Sequence, residues 1–115
     1  MTTQIREQAS PAEYVAAVGI LKLLADATRL RLLDTLARGE QSVGDLAEAV
    51  DAPSAAVSQH LAKLRLGGLV LTRRDGNRIF YSVVNEHVGK LVRESLLQAD
   101  HLVGGALHHS VEAPS

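Results

Sequence analysis

The chain has 115 residues, 46% of them hydrophobic, which predicts a single folded domain with a modest core. Its lack of cysteine excludes disulfides and thiolate metal sites, and its net charge of −1 leaves only a local basic surface to attract a polyanion. No apolar run approaches the roughly 20 residues that span a bilayer, and no signal peptide precedes the domain, so a cytoplasmic protein is expected.

Two helices are predicted in the N-terminal third. Residues 1–10 are polar and are expected to be mobile, and a helix follows over 11–24. Asp26 or Thr28 can cap the next helix, which Gly39 ends. Apolar residues at helical spacing mark one face of each helix: Val15, Val18 and Leu21 in the first, and Leu32, Leu33 and Leu36 in the second.

The next segment has the pattern of a helix-turn-helix. Ser42 opens a short helix that reaches Val50, and Asp45 stands three residues after Ser42, as in a capping box. The turn 51–53 contains proline and ends this helix, and a fourth helix starts at about Ser54. In such a unit the second helix enters the major groove of DNA while the first supports it.

The fourth helix combines an apolar stripe with a polar outer side. Val57, Leu61 and Leu64 form the stripe, and Gly67-Gly68 ends the helix because glycine takes the left-handed conformation without steric cost. Small outer residues allow close approach to a groove, and polar ones can bond base edges or phosphate. The small residues are Ala55 and Ala56, and the polar ones are Ser58, Gln59 and Lys63.

Two β-like runs, 69–72 and 79–83, flank a turn at Asp75-Gly76-Asn77 and predict a hairpin. From Lys63 to Arg78 the chain carries five basic residues against one acid, so positive charge is concentrated there despite the net charge of −1. This concentration favours contact with a phosphate backbone, although a solvated hairpin on a small globular domain is the alternative. Three arginines surround the turn: Arg73, Arg74 and Arg78.

A helical pattern returns from Glu86, and its apolar and small residues recur at spacings of four and three, as in a heptad seam. We interpret this seam as a homodimer interface, with the first helix as additional contact. The alternative is that the last helix folds back onto its own domain. The predicted interface residues are Val15, Val18, Leu21, Val88, Val92, Ser95, Ala99 and Leu102.

From about Val15 to Leu102 the sequence resembles the ArsR/SmtB family of metal-responsive regulators. LADATRLRLLDTLARGEQSVGDLAEAV and AAVSQHLAKLRLGGLVLTRRDGNRIFYSV are similar to the family's core helices, recognition helix and wing, in the same order. The resemblance implies a mainly α winged helix-turn-helix with four helices, a β-hairpin and a fifth helix. It also implies a homodimer that binds operator DNA and responds to a metal or another effector.

The same resemblance assigns DNA-contacting residues. Those on the fourth helix would lie at or near the groove, Lys63 would meet a phosphate, and the arginines would act from the wing. For His60, contact with solvent or phosphate alone is the competing interpretation. The full set is Ser54, Ala55, Ser58, Gln59, His60, Lys63, Arg73, Arg74, Asn77 and Arg78.

Four of the five histidines lie in the last 29 residues: His87, His101, His108 and His109. His87 and His101 are 14 residues apart, or about 21 Å along one helix, so within that helix they cannot share a metal ion. An antiparallel partner helix could instead bring His87 of one subunit near Asp100 and His101 of the other, which resembles the family's sensor site on the fifth helix.

The ligand set departs from the family pattern at two positions, where Asn85 and Gln98 replace the usual acid and histidine. His108 and His109, in a tail over 104–115 that is expected to be flexible, could supply the missing ligands. Nitrogen and oxygen ligands in high number suit nickel, with cobalt or zinc as alternatives. Alternatively, the tail histidines are ordinary polar residues and no metal is sensed.

The sequence therefore predicts a transcriptional regulator, either repressor or activator. The main alternative is a dimeric interaction protein, or a regulator controlled by a partner protein without a metal. An enzyme is not supported, because the chain has no cysteine nucleophile, no evident Ser-His-acid arrangement and no phosphate-binding glycine loop.

Overall fold

The computed structural model describes residues 8–104. Residues 1–7 and 105–115, which include His108, His109 and most of both predicted terminal segments, lie outside the described residues. The elements are α1 (Pro11–Leu24), α2 (Ala27–Leu36), β1 (Gln41–Ser42), α3 (Val43–Val50), α4 (Ser54–Leu66), β2 (Val70–Asp75), β3 (Arg78–Val83), α5 (Glu86–Ala99) and a π-helical turn, Asp100–Gly104.

Side-chain caps fix where the first three helices begin. The hydroxyls of Ser10 and Ser42 accept backbone N–H groups of the first turns of α1 and α3. The Asp26 carboxylate accepts the backbone N–H of Arg29 at 2.9 Å, so Asp26 caps α2 and Thr28 does not. Each cap satisfies a donor that the helix cannot satisfy itself, which is why short polar residues stand at these positions.

A sharp turn and a glycine pair delimit α4. Asp51 takes the left-handed conformation after α3, with φ of 55°, and extended Pro53 precedes α4. Gly68, with φ of 81°, follows the helix and turns the chain into β2. The helix-turn-helix and the glycine stop therefore lie where the sequence predicts them.

The wing is a three-stranded antiparallel sheet in the order β1-β3-β2, one strand more than the predicted hairpin. The additional strand β1 pairs Gln41 with Tyr81 and Ser42 with Phe80. A two-residue turn joins β2 to β3, with Gly76 at φ of 65° in its first position. Strand β1 ties the base of the hairpin to the start of α3.

The core lies between α2, α3, α4 and the first half of α5. Its fully buried leucines come from three helices, and the strand residue Val70 closes one side. The predicted stripes of α2 and α4 are all buried, which confirms the helical periodicity on which they were based. The largest fully buried side chains are Leu32, Leu33, Leu36, Leu46, Val57, Leu61, Leu64, Val70 and Val92.

Helix α5 corrects the predicted dimer seam. Val88 and Val92 belong to the core of their own subunit, with 7% and 0% exposure, because the first half of α5 packs on α2. They are therefore unavailable to a partner. Every residue from Arg93 to Val103 is exposed, including the predicted interface residues Ser95, Ala99 and Leu102.

Exposed apolar side chains concentrate on two helices. In α1, Val15, Val18 and Leu21 are 74%, 48% and 53% exposed, beside an equally exposed Tyr14. The second half of α5 and the turn after it expose Leu96, Leu97, Leu102 and Val103. Within residues 8–104, no helix is long and apolar enough to cross a membrane.

Candidate nucleic-acid interface and effector residues

The buried stripe of α4 determines which side chains face outward. At about 100° per residue, Ala55 and Gln59 lie opposite Val57, with Ser58 and Lys63 on the two flanks. All four of these outer residues are exposed. The outer surface thus carries a small residue, two hydrogen-bonding groups and one cation, a combination that suits a major groove.

His60 takes a different position from the other predicted reading residues. It lies three residues after Val57, at the edge of the buried stripe, and 24% of its side chain is exposed. Its Nδ1 is 3.4 Å from Nη1 of Arg29 and 3.9 Å from Oδ2 of Asp26. His60 thus contacts the start of α2 instead of lying on the outer surface of α4.

The three wing arginines have unequal surroundings. Arg73 donates two hydrogen bonds to the Glu40 carboxylate, from Nε at 2.9 Å and from Nη2 at 2.7 Å. This bond and the charge of Arg73 lower the pKa of Glu40, and the same contact raises the pKa of Arg73. The charge of Arg73 is thereby largely neutralised in place.

Arg78 is held on the same face of the sheet. Its Nη2 donates to Ser42 Oγ at 3.2 Å and lies 3.9 Å from Oδ2 of Asp45. The guanidinium groups of Arg73 and Arg78 lie over the Phe80 ring, 4.8 Å and 5.0 Å from its centroid. Both arginines therefore connect the β2–β3 hairpin to the chain from Glu40 to Asp45.

Arg74 lies on the other face of the wing, because successive strand residues point to opposite sides. It pairs across the ladder with Ile79, it is exposed, and within residues 8–104 no acid lies within ion-pair distance of it. Asn77 is exposed in the hairpin turn. Of the three predicted phosphate-contacting arginines, Arg74 alone has a charge that no described residue pairs.

The sequence did not single out Glu40. Glu40 lies 33 residues before Arg73 in the sequence, and the pairing of β1 with β3 brings the two side chains together. A two-residue strand without β-branched residues carries too weak a pattern to be predicted. The position of Glu40 next to Gln41 gives no local signal for its role.

The described metal-ligand candidates lie at opposite ends of one helical segment. His87 is in the first turn of α5, and Asp100 and His101 follow its last turn; all three are exposed. Within residues 8–104 of one subunit, no three histidine or acidic side chains come close enough to hold a metal ion. Asn85 is the cap of α5, and its Oδ1 accepts the backbone N–H groups of His87 and Val88.

The comparisons with known proteins agree with this geometry. The family model described as "Bacterial regulatory protein, arsR family" matches residues 26–72, from the cap of α2 into β2. The HTH-type transcriptional regulator KmtR of Mycobacterium tuberculosis is 51% identical over 92 residues, which cover 80% of this chain and 71% of that protein. This chain belongs to the ArsR family. It is a DNA-binding transcriptional regulator and not an enzyme.

Two further comparisons support this membership. The transcriptional repressor SmtB homolog of Synechocystis is 48% identical over 79 residues, covering 69% of this ArsR-family chain and 58% of that protein. The solved structure of a homodimeric winged helix-turn-helix DNA-binding domain from Mycobacterium bovis is similar to this chain, with a TM-score of 0.72 and 33% sequence identity. The match covers 85% of this chain and 94% of that domain, which confirms the winged helix-turn-helix fold.

We predict that Arg74→Ala weakens binding to a DNA duplex selected by the wild-type protein from a random library. It should also lower the slope of log Kd against log salt concentration by about one unit, the effect of losing one phosphate contact. Lys90→Ala, which removes an exposed charge from the first half of α5, is the matched control and should leave the slope unchanged. Equal slopes for Arg74→Ala and the wild type would exclude this phosphate contact.

We also predict that the Glu40 carboxyl, followed by NMR against pH, titrates below its ordinary range in the wild type. Because the folded-state pKa is lowered, the stability that the pair contributes is present above the ordinary pKa and is lost as pH falls through the lowered value. Arg73→Ala should return the midpoint to the ordinary range, and Arg74→Ala should not. A midpoint insensitive to Arg73→Ala would contradict the pairing.

Proposed function

We propose that this regulator is a homodimer that binds operator DNA and responds to a transition-metal ion held between its fifth helices. Nickel is the first choice, with cobalt or zinc as alternatives. The observation that carries the proposal is the exposed second half of α5, which ends at Asp100 and His101, while His87 is exposed at the other end. Binding to chromosomal DNA implies a cytoplasmic protein.

The exposed apolar surfaces of α1 and α5 support the homodimer. A small protein rarely leaves so many apolar side chains in water on two helices unless a partner covers them. A two-fold dimer covers the same surface on both subunits and sets two copies of α4 side by side. Two recognition helices about 34 Å apart match successive major-groove faces of a palindromic site.

The chemistry of the α5 side chains supports a metal ion between subunits. The imidazoles of His87 and His101 and the carboxylate of Asp100 are nitrogen and oxygen donors that suit nickel, cobalt and zinc. Antiparallel fifth helices would combine His87 of one subunit with Asp100 and His101 of the other, and two-fold symmetry would make two such sites. We propose that His108 and His109 add further ligands.

The second candidate function is a homodimeric regulator that is controlled by a partner protein and senses no metal. The role of Asn85 favours it, because this residue stands at a usual ligand position and is used as a helix cap. An incomplete ligand set weakens metal affinity. Either function permits repression or activation, depending on whether the effector weakens or strengthens DNA binding.

The homodimer predicts that Val18→Glu converts the protein to a monomer, because a carboxylate would be buried against apolar partner residues. Sedimentation equilibrium measures the change. Leu71→Glu is the matched control, since it places the same charge at a similarly exposed residue of the wing. A dimer of wild-type stability in Val18→Glu would exclude α1 from the interface.

The inter-subunit metal site predicts that His87→Ala and His101→Ala each lose nickel affinity by at least about tenfold in calorimetry, as expected for removal of a ligand. Lys90→Ala, at an exposed residue in the first half of the same helix, is the matched control and should bind as the wild type does. Equal nickel affinity in all four proteins would exclude the site and favour the second candidate function.

A mixture of the His87→Ala and His101→Ala proteins, which should each bind nickel weakly, gives a sharper test. In a dimer of one His87→Ala and one His101→Ala subunit, one site loses both histidines and the other keeps both. After random subunit exchange, half of the dimers are mixed, so about a quarter of the wild-type nickel capacity should return. No recovery, in a mixture shown to exchange subunits, would indicate that His87 and His101 do not share a metal across the interface.

A further inference from the structure

Arg29 connects three helices through one side chain. Its Nε donates to the carbonyl oxygen of Leu23 at 2.6 Å, and its Nη2 to that of Lys22 at 3.4 Å, both in the last turn of α1. Its Nη1 lies 3.4 Å from Nδ1 of His60 on α4. Arg29 itself belongs to the first turn of α2. The guanidinium group thus joins the end of α1 to the recognition helix.

Asp26 completes this cluster from the start of α2. Its Oδ2 accepts the backbone N–H of Arg29 at 2.9 Å and lies 3.9 Å from Nδ1 of His60. The backbone hydrogen bond to Arg29 lowers the pKa of Asp26, with an additional contribution from the charge of Arg29. The carboxylate therefore fixes the start of α2, from which Arg29 projects, and lies beside the His60 ring.

The contact between Arg29 and His60 has a defined direction. Arginine has donors and no acceptor, so Nδ1 of His60 has to accept the hydrogen bond from Nη1. Because three donors of a planar, rigid guanidinium are engaged at once, the contact restrains the direction of α4 relative to α1. Partly exposed groups of this kind add little to overall stability.

We propose that Arg29 and His60 are positioning residues, which set the angle between α1 and the recognition helix and so the spacing of the two recognition helices in the dimer. The proposal rests on the proposed function, in which α1 belongs to the dimer interface and α4 reads DNA. His60 thus acts on operator recognition without touching a base. One extra base pair between the half-sites moves one half-site by about 3.4 Å along the DNA. A small change in the angle between α1 and α4 therefore alters which half-site spacing the dimer fits.

The test compares three substitutions at His60. His60→Leu removes the acceptor and keeps the bulk. His60→Asn restores an acceptor, since its Oδ1 is as far along the side chain as Nδ1. His60→Gln is the matched control, because its Oε1 corresponds to Nε2, which has no described partner within residues 8–104. Each variant is first checked for folding by thermal unfolding and for dimerisation by sedimentation.

Affinity is measured with the duplex selected by the wild-type protein. His60→Leu and His60→Gln should bind about tenfold more weakly, the scale of one hydrogen bond to a charged group. His60→Asn should bind within about twofold of the wild type. The salt slope should be the same in all four proteins, because no phosphate contact changes. A slope lowered by about one unit would overturn the proposal and make His60 a phosphate contact.

Half-site spacing separates positioning from general destabilisation. Wild-type protein should discriminate strongly against a duplex with one added base pair between its half-sites, and folded, dimeric His60→Leu should discriminate less. Unchanged discrimination and unchanged affinity would overturn the proposal. Failure of the wild-type protein to dimerise or to select DNA would instead overturn the proposed function.

Arg29→Lys gives an independent test should His60→Leu fail to fold. A lysine keeps the charge, but its single ammonium cannot reach the two carbonyl oxygens and Nδ1 together. The spacing preference should weaken as it does in His60→Leu. Combined with His60→Gln, which loses the contact on its own, it should cost no more than it does alone, because both changes act on one contact. Fully additive losses would mean that the two residues act separately.

Discussion

Burial of one stripe of α4 is the constraint on which the rest of the structure depends. Val57, Leu61 and Leu64 are fully buried against α2 and α3, so the rotation of the helix about its axis is fixed. With 3.6 residues per turn, fixing one side fixes the opposite side as well, and Gln59 has to face outward. The reading surface is thus a consequence of core packing. Any residue that tilts this helix changes recognition without contacting DNA.

Ion pairing, and not the number of basic residues, determines where the wing carries free positive charge. The wing contains three arginines in a chain of net charge −1, yet Arg73 is neutralised by Glu40, and Arg78 is held by Ser42 and lies near Asp45. Two cations therefore hold the hairpin near its turn against the segment from Glu40 to Asp45, and their guanidinium groups stack on Phe80. Among the wing arginines, Arg74 alone has no ion-pair partner within the described residues 8–104. In the free protein, a count of basic residues therefore overestimates the number of unpaired charges on the wing.

Periodicity and capping chemistry predicted most of the fold, because both act between residues a few positions apart. The stripes of α2 and α4, the cap Ser42 and the stop at Gly68 all follow local rules. What failed depends on residues far apart in sequence. Strand β1 exists only because β3 pairs with it, and the spacing of Val88 and Val92 is the same whether a helix faces its own core or a partner. The predicted seam thus combined residues from the core-facing surface of α5 with residues from its exposed surface.

The two surfaces of α5 have different consequences for regulation. Its buried half fixes His87 beside a cavity of about 250 Å³, whose walls also include Ile20 of α1 and Gly67 and Gly68 at the end of α4. Its exposed half is free to meet another helix. A side chain in place of Gly67 would collide with Leu23 of α1, so the end of the recognition helix lies directly against α1 at this cavity. The helix that the proposed dimer uses and the helix that would read DNA are therefore packed on each other beside His87.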